Sequence, residues 1–144
     1  MNIKDKMIKV VKETEKYYAK DPDGRRSLDE DGNCMYTWGD KHCAVGRYMK
    51  KEFQEETFPE NNDSVLELME NGDDGESIDW VLREEVQGFN VDFWSDLQEL
   101  HDSREYWITE KCINMANLDI GISPSGTARY HKIIDNIKEG KYDE

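Results

Sequence analysis

The sequence predicts a mainly α-helical fold of the α+β class: a compact helical domain with one small antiparallel β-hairpin near residues 33–45. Three observations predict it. Apolar residues recur at helical spacing towards both ends of the chain. A short stretch between them is typical of two strands joined by a Gly-Asp pair. Four tryptophans, seven tyrosines and four phenylalanines supply large core side chains, and the length of 144 residues predicts a single domain over residues 1–144.

The first predicted element is an N-terminal amphipathic helix over residues 2–20. Lysines and acidic residues fill the face of this helix that lies opposite its apolar stripe. Pro22 and Gly24 mark the turn that ends the helix. The stripe comprises Ile3, Met7, Val10, Val11, Thr14, Tyr17 and Tyr18.

The next predicted element is the hairpin, in the stretch NCMYTWGDKHCAV at residues 33–45. If Gly39 and Asp40 form its loop, Trp38 lies opposite Lys41, and His42 points away from both cysteines. A three-residue loop is the alternative, and it would shift the register. The face predicted to form the structural core carries Cys34, Tyr36, Trp38, Cys43 and Val45.

Helical spacing resumes after the hairpin. It predicts one helix from about Ala44 to Glu56 and, within an acidic helical segment over residues 51–105, two more. The first of these is capped by Asp63 or Ser64 and the second by Ser77. The longest helix is predicted over residues 91–107, with one side formed by Phe93, Trp94, Leu97, Leu100 and His101. Residues 108–118 either extend that helix or begin another. A C-terminal helix is predicted over residues 126–139 through Tyr130, Ile133, Ile134 and Ile137.

Charge is distributed unevenly along the chain, whose net charge is −14. Residues 51–105 contain 18 acidic and 3 basic residues, a net charge of −15, whereas residues 1–50 carry +2 and residues 106–144 carry −1. Such asymmetry bears on partners and solubility. It argues against direct binding of nucleic acid, which requires a basic footprint, and against binding to an anionic membrane surface.

The sequence also predicts a cytoplasmic location. No window approaches the roughly 18 apolar residues of a membrane-spanning helix, and the N-terminus lacks the apolar region of a signal peptide. Three cysteines, an odd number, argue against a secreted disulfide framework.

No metal or other cofactor is predicted. Cys34, His42 and Cys43 lack the short Cys-x2-Cys spacing that structural zinc sites use. The acidic stretches that begin at Asp21 and Asn71 do not match the ligand positions of an EF-hand loop.

A thiol enzyme that uses Cys43 and His101 is the alternative chemistry. Cys43 precedes a predicted helix, and a helix N-terminus lowers a thiol pKa. Asp102 could orient His101 as a base, but neighbouring residues on a helix project about 100° apart, so the two side chains are not expected to pair unaided.

Three short motifs resemble those of a loose group of small uncharacterised phage and bacterial proteins. They are Cys-x-Tyr at Cys34 and Tyr36, Cys-Ala-(apolar)-Gly at residues 43–46, and Leu-Gln-x-x-His-Asp at residues 97–102. The stretches that hold them, residues 33–49 and 96–103, cover 25 of the 144 residues, about a sixth of the chain. The resemblance implies a shared fold more than an activity. A composition rich in Lys, Asn, Asp and Ile is typical of AT-rich phage genomes and indicates a phage-encoded protein.

The charge distribution predicts a non-enzymatic protein that binds and inhibits a host nucleic-acid-handling or defence protein, in the host cytosol, through an acidic face that mimics DNA. Duplex DNA carries one negative charge per roughly 1.7 Å of its axis, and carboxylates on a rigid scaffold can present a similar field. The alternatives are the Cys43/His101 enzyme and a structural or assembly protein with no charge-based target. The predicted face comprises Glu67, Glu70, Asp79, Glu84, Glu85, Asp92, Asp96 and Glu99.

Overall fold

The described part of the chain is mainly helical and carries a small antiparallel hairpin, which confirms the predicted α+β class. The computed structural model describes residues 2–20, 22–25, 37–38, 41–51, 65, 69–70, 77–108 and 121–143. In chain order its elements are α1 (Ile3–Ala19), α2 (Pro22–Arg25), β1 (Thr37–Trp38), β2 (Lys41–His42), α3 (Val91–Asp102), β3 (Trp107–Ile108), β4 (Gly121–Ile122) and α4 (Pro124–Lys138), with 3-10 turns at Gly46–Tyr48, Asp79–Val81, Glu84–Val86 and Arg104–Tyr106.

Both terminal helices begin at a side-chain cap. Asn2 Oδ1 accepts the Asp5 N–H at 2.9 Å, and Ser123 Oγ accepts the Gly126 N–H at 3.0 Å. Each cap satisfies an N–H that has no partner within its helix. Accordingly, α1 lies within the predicted range of 2–20, and α4 begins two residues before the predicted range of 126–139.

The hairpin has the register of the two-residue loop, with Trp38 opposite Lys41. Its second strand is shorter than predicted and ends at His42. The reason is that Cys43 already begins a turn, in which its carbonyl accepts the Arg47 N–H at 3.0 Å.

Two residues of the predicted core face of the hairpin have described side chains, and both are buried. Cys43 and Val45 are completely buried. Ala44, which the alternation of a strand would place on the opposite face, is buried as well, because the turn removes that alternation. Outside the described residues lie Cys34, Tyr36 and the side chain of Trp38.

The predicted helices around residues 44–51 and 78–87 are wrong. Each stretch forms short 3-10 turns separated by extended residues. The two stretches pair with each other instead: Lys50 N–H donates to Val81 O at 2.8 Å, Arg83 N–H donates to Tyr48 O at 2.9 Å, and an antiparallel bridge lies between them. Backbone pairing between distant residues here overrides a weak local preference for helix.

The predicted long helix is present as α3 but ends at Asp102, five residues before the predicted end. The chain becomes extended at Ser103 and then forms β3, which pairs antiparallel with β4. Nothing in the sequence pattern predicts this second ladder. The apolar side of α3 is as predicted, since the buried residues of the helix are Phe93, Trp94, Leu97, Leu100 and His101.

One hydrophobic core joins the described elements from Met7 in α1 to Tyr142 after α4. Aromatic rings fill its centre, where Trp94 stacks on Phe89 with ring centroids 5.6 Å apart and Phe93 meets Tyr142 edge-on at 5.6 Å. Among the described residues, no helix is long and apolar enough to cross a membrane.

Candidate functional site

The predicted acidic face divides into carboxylates that stand alone and carboxylates with a partner inside the molecule. Glu70, Glu84, Glu85 and Asp92 are exposed, and within the described part of the chain none of them forms a hydrogen bond or ion pair through its side chain. Among the described residues, nothing occupies these four carboxylates. Glu67 lies outside the described residues.

Arg129 pairs with both carboxylates of α3 that face α4 and offsets part of their charge. Its Nη2 lies 2.9 Å from an Asp96 oxygen and 3.3 Å from a Glu99 oxygen. The second Asp96 oxygen accepts the Tyr142 hydroxyl at 2.6 Å. Asp96 and Glu99 therefore fasten α4 to α3, and only part of their charge remains for an external cation. The sequence offers no local signal for Arg129, because it lies about thirty residues further along the chain.

Asp79 also has a hydrogen-bond partner within the molecule. Each of its carboxylate oxygens accepts the Gly88 N–H at 3.2 Å, in a loop where Gly88 adopts a positive φ of 90°. A left-handed backbone conformation of this kind favours glycine. Asp79 and its neighbours Glu84 and Glu85 are predicted on α-helices but lie on single 3-10 turns.

Cys43 of the alternative enzyme is a buried thiol. Its side chain is completely inaccessible, and its Sγ accepts the Gly46 N–H at 3.2 Å. Burial raises the pKa of the Cys43 thiol well above its ordinary value, and the Asp102 carboxylate adds to this rise. The sequence predicts a lowered pKa from a helix after Cys43, but the structure has a single 3-10 turn at that place. The structure therefore disfavours the nucleophilic thiolate.

His101 is equally buried and pairs with its neighbour, but not unaided. Its Nδ1 lies 2.6 Å from Asp102 Oδ1. Asp102 is the last residue of α3, and Gln98, one turn earlier, donates to the same carboxylate oxygen at 2.7 Å. The two donors together hold the carboxylate towards the imidazole.

The same cluster joins the turn after β2 to α1 and α3. Gln98 Oε1 accepts the Val45 N–H at 3.4 Å, and the ring of His101 meets the ring of Tyr18 edge-on at 4.8 Å. The Tyr18 hydroxyl in turn donates to the carbonyl of His42. Residues 43–46 and 97–102, which carry two of the three resemblance motifs, therefore meet in one buried network that ties β2 to α1 and α3.

Comparisons with known proteins identify no relative. No family model matches the chain, and no curated protein or solved structure is detectably similar to it. Within the described ranges, no three His, Cys, Asp or Glu side chains group closely enough to hold a metal ion. The resemblance to small phage and bacterial proteins stays a prediction.

Proposed function

We propose that this protein is a non-catalytic, phage-type inhibitor whose acidic segment binds a basic, nucleic-acid-binding surface of a host protein. The partner is defined by its chemistry: a groove rich in lysine and arginine that otherwise holds DNA or RNA. The observation that carries the proposal is a set of exposed carboxylates, at Glu70, Glu84, Glu85 and Asp92, that pair with no cation among the described residues.

The rest of the local structure supports a rigid presentation of these charges. Asp92 lies in the first turn of α3, whose N-terminus is capped by Asn90 and favours a negative charge. Glu84 lies in the turn that leads into the same helix. Asp96 and Glu99 pair with Arg129 of α4 and so fix α3 against α4. Charges fixed before binding lose little conformational freedom when a partner docks.

The burial of Cys43 and His101 supports this proposal over the thiol enzyme. Both side chains have a relative exposure of 0%. A nucleophile and a base that a substrate cannot reach do not form an active site in this conformation. Their contacts are accounted for by the network that ties β2 to α1 and α3.

The test is a pull-down from bacterial host cytosol with the wild-type protein and the triple variant Glu70→Gln, Glu84→Gln, Asp92→Asn. Glu85 is left unchanged because it also lines a cleft beside α1. We expect the wild type to retain a basic protein at about 0.1 M salt and to release it at about 1 M, because the Debye length shortens from about 10 Å to about 3 Å. The triple variant should retain little.

A matched control removes three exposed acidic residues outside residues 51–105: Asp5→Asn, Asp135→Asn and Glu139→Gln. This control has the same net charge as the triple variant and should bind like the wild type. Duplex DNA added to the wild-type complex should release the host protein, since DNA and the acidic segment compete for the same basic groove of that protein. Equal loss in both variants, or a ternary complex with DNA, would refute the proposal.

A further inference from the structure

A basic cleft opens between α1 and the 3-10 turns at Gly46–Tyr48 and Glu84–Val86. It has a volume of about 370 Å³, within the range of about 300–1,000 Å³ that is usual for small-molecule sites. Its apolar lining is provided by Val10, Tyr48 and Val86, all of which are buried. Such a surface suits the organic part of a ligand.

Charged side chains surround this lining, and cations predominate. Lys6, Lys9, Arg47 and Arg83 line the cleft, against the two carboxylates of Glu13 and Glu85. The described residues that line the cleft therefore carry a net charge of +2, in a protein whose overall charge is −14. At physiological salt, exposed charges further away than about 8 Å are largely screened, so the cations that line the cleft govern what binds there.

The negative charge of Glu13 is already shared between two neighbours. Its Oε2 accepts the Tyr48 hydroxyl at 2.9 Å, and its Oε1 lies 3.9 Å from Lys9 Nζ. Lys6, one turn before Lys9 on the same face of α1, has no carboxylate within ion-pair distance among the described residues. The α1 side of the cleft thus retains positive charge.

The two guanidinium groups are held in place before any ligand arrives. Arg47 lies over the ring of Tyr17, with its Cζ 3.9 Å from the ring centroid, and its buried Nη1 has no hydrogen-bond partner in the described chain. Arg83 Nε donates to the carbonyl of Met49 at 3.1 Å. A guanidinium fixed in this way pairs with phosphate oxygens at a low entropic cost.

We propose that this cleft binds a small phosphorylated metabolite. The phosphate lies among Lys6, Lys9, Arg47 and Arg83, and the organic part rests on Val10, Tyr48 and Val86. A phosphate suits the site better than a single carboxylate does, because it offers three oxygens and nearly two negative charges to four cations. The cleft shares Glu85 with the four carboxylates of the acidic surface that we propose for the host protein, but the groups that bind phosphate here are cations.

The test is a titration followed by two-dimensional amide NMR, with phenyl phosphate as the probe and with phenol and inorganic phosphate as its two halves. We expect phenyl phosphate to shift the amides of Lys9, Arg47, Arg83 and Val86 in a saturable way. Phenol should produce no such shift, and inorganic phosphate should bind more weakly than phenyl phosphate because it leaves the apolar lining bare.

The variant Lys6→Gln/Lys9→Gln alters two exposed helix positions and should fold normally. We expect it to weaken phenyl phosphate binding by about five- to tenfold, the usual effect of removing two partly screened cations. The control Lys132→Gln/Lys138→Gln removes the same charge from exposed positions of α4 and should bind like the wild type. Absence of saturable shifts at the cleft, or equal affinity of both variants, would overturn the proposal.

Discussion

Replacement of Asp102 by alanine tests the buried network that joins the two motif-bearing stretches. In the wild type, Asp102 Oδ1 accepts from His101 Nδ1 at 2.6 Å and from Gln98 Nε2 at 2.7 Å. Removing the acceptor of a fully buried donor costs about 1–3 kcal/mol, and a half-exposed hydrogen bond contributes about 0.5–1.5 kcal/mol.

One effect acts in the opposite direction. Asp102 lies at the C-terminus of α3, where a negative charge is unfavourable by about 0.3–1 kcal/mol. This offset is smaller than the loss of two hydrogen bonds. We therefore expect Asp102→Ala to lower the free energy of unfolding by about 2–3 kcal/mol, which corresponds to a fall in Tm of roughly 5–12 °C for a chain of this length.

The assay is urea unfolding at neutral pH, with Asp102→Asn and Asp135→Ala as comparisons. The asparagine keeps an oxygen that can accept both hydrogen bonds, so it should cost less than about 1 kcal/mol. Asp135 is exposed on α4, and its replacement should change stability by less than about 0.5 kcal/mol. In Asp102→Ala the Val45 amide hydrogen should also exchange faster with solvent, because Gln98, which accepts it, loses its own hydrogen bond to Asp102. An alanine variant as stable as the asparagine variant would refute the reasoning.

Three further predictions concern the interior. Cys43 should resist iodoacetamide in the native protein and react only on unfolding, because burial raises the pKa of its thiol; peptide mass mapping distinguishes it from the other two cysteines. Gly126→Ala should destabilise the protein by at least about 2 kcal/mol, because its added Cβ would lie 2.2 Å from Tyr106 O. The control Ser125→Ala, at an exposed position, should not, and thermal unfolding measures both. Burial and its hydrogen bond to Asp96 raise the pKa of the Tyr142 phenol above its ordinary value of 10.0, so stability should fall as the pH rises above about 10, where the unfolded chain ionises first. Tyr142→Phe should make that fall shallower in unfolding curves recorded between pH 8 and 11, and an unchanged slope would contradict the assignment.

The terminal helices can be predicted from sequence because their signals are local. An apolar stripe at helical spacing and a capping residue, Asn2 or Ser123, lie within one short window of the chain. The hairpin is likewise predicted from a local Gly-Asp pair, which leaves two registers open, and the structure has the one with Trp38 opposite Lys41. In each case the interactions that decide the structure join residues close in sequence.

The segments where prediction fails are decided by distant partners. Residues 78–87 carry helical spacing, yet Val81 O and Arg83 N–H bond to Lys50 and Tyr48, more than thirty residues earlier. The β3–β4 ladder and the pairing of Asp96 with Arg129 have the same origin. A count of charges along the chain can therefore locate the acidic segment, but it cannot separate exposed carboxylates from those bonded to α4.

The network around Cys43, Gln98 and His101 also decides what the sequence motifs can signify. Their side chains bond to backbone groups of the turn after β2 or to the carboxylate of Asp102, so a change in any of them alters the fold first. Exposed charges such as Glu84 and Lys6 can change at a cost of less than about 0.5 kcal/mol. A chain that shares the motifs should thus share the fold and remain free to differ in its partner. The choice of partner would then lie with the acidic surface and the basic cleft, where substitutions alter binding without altering the scaffold.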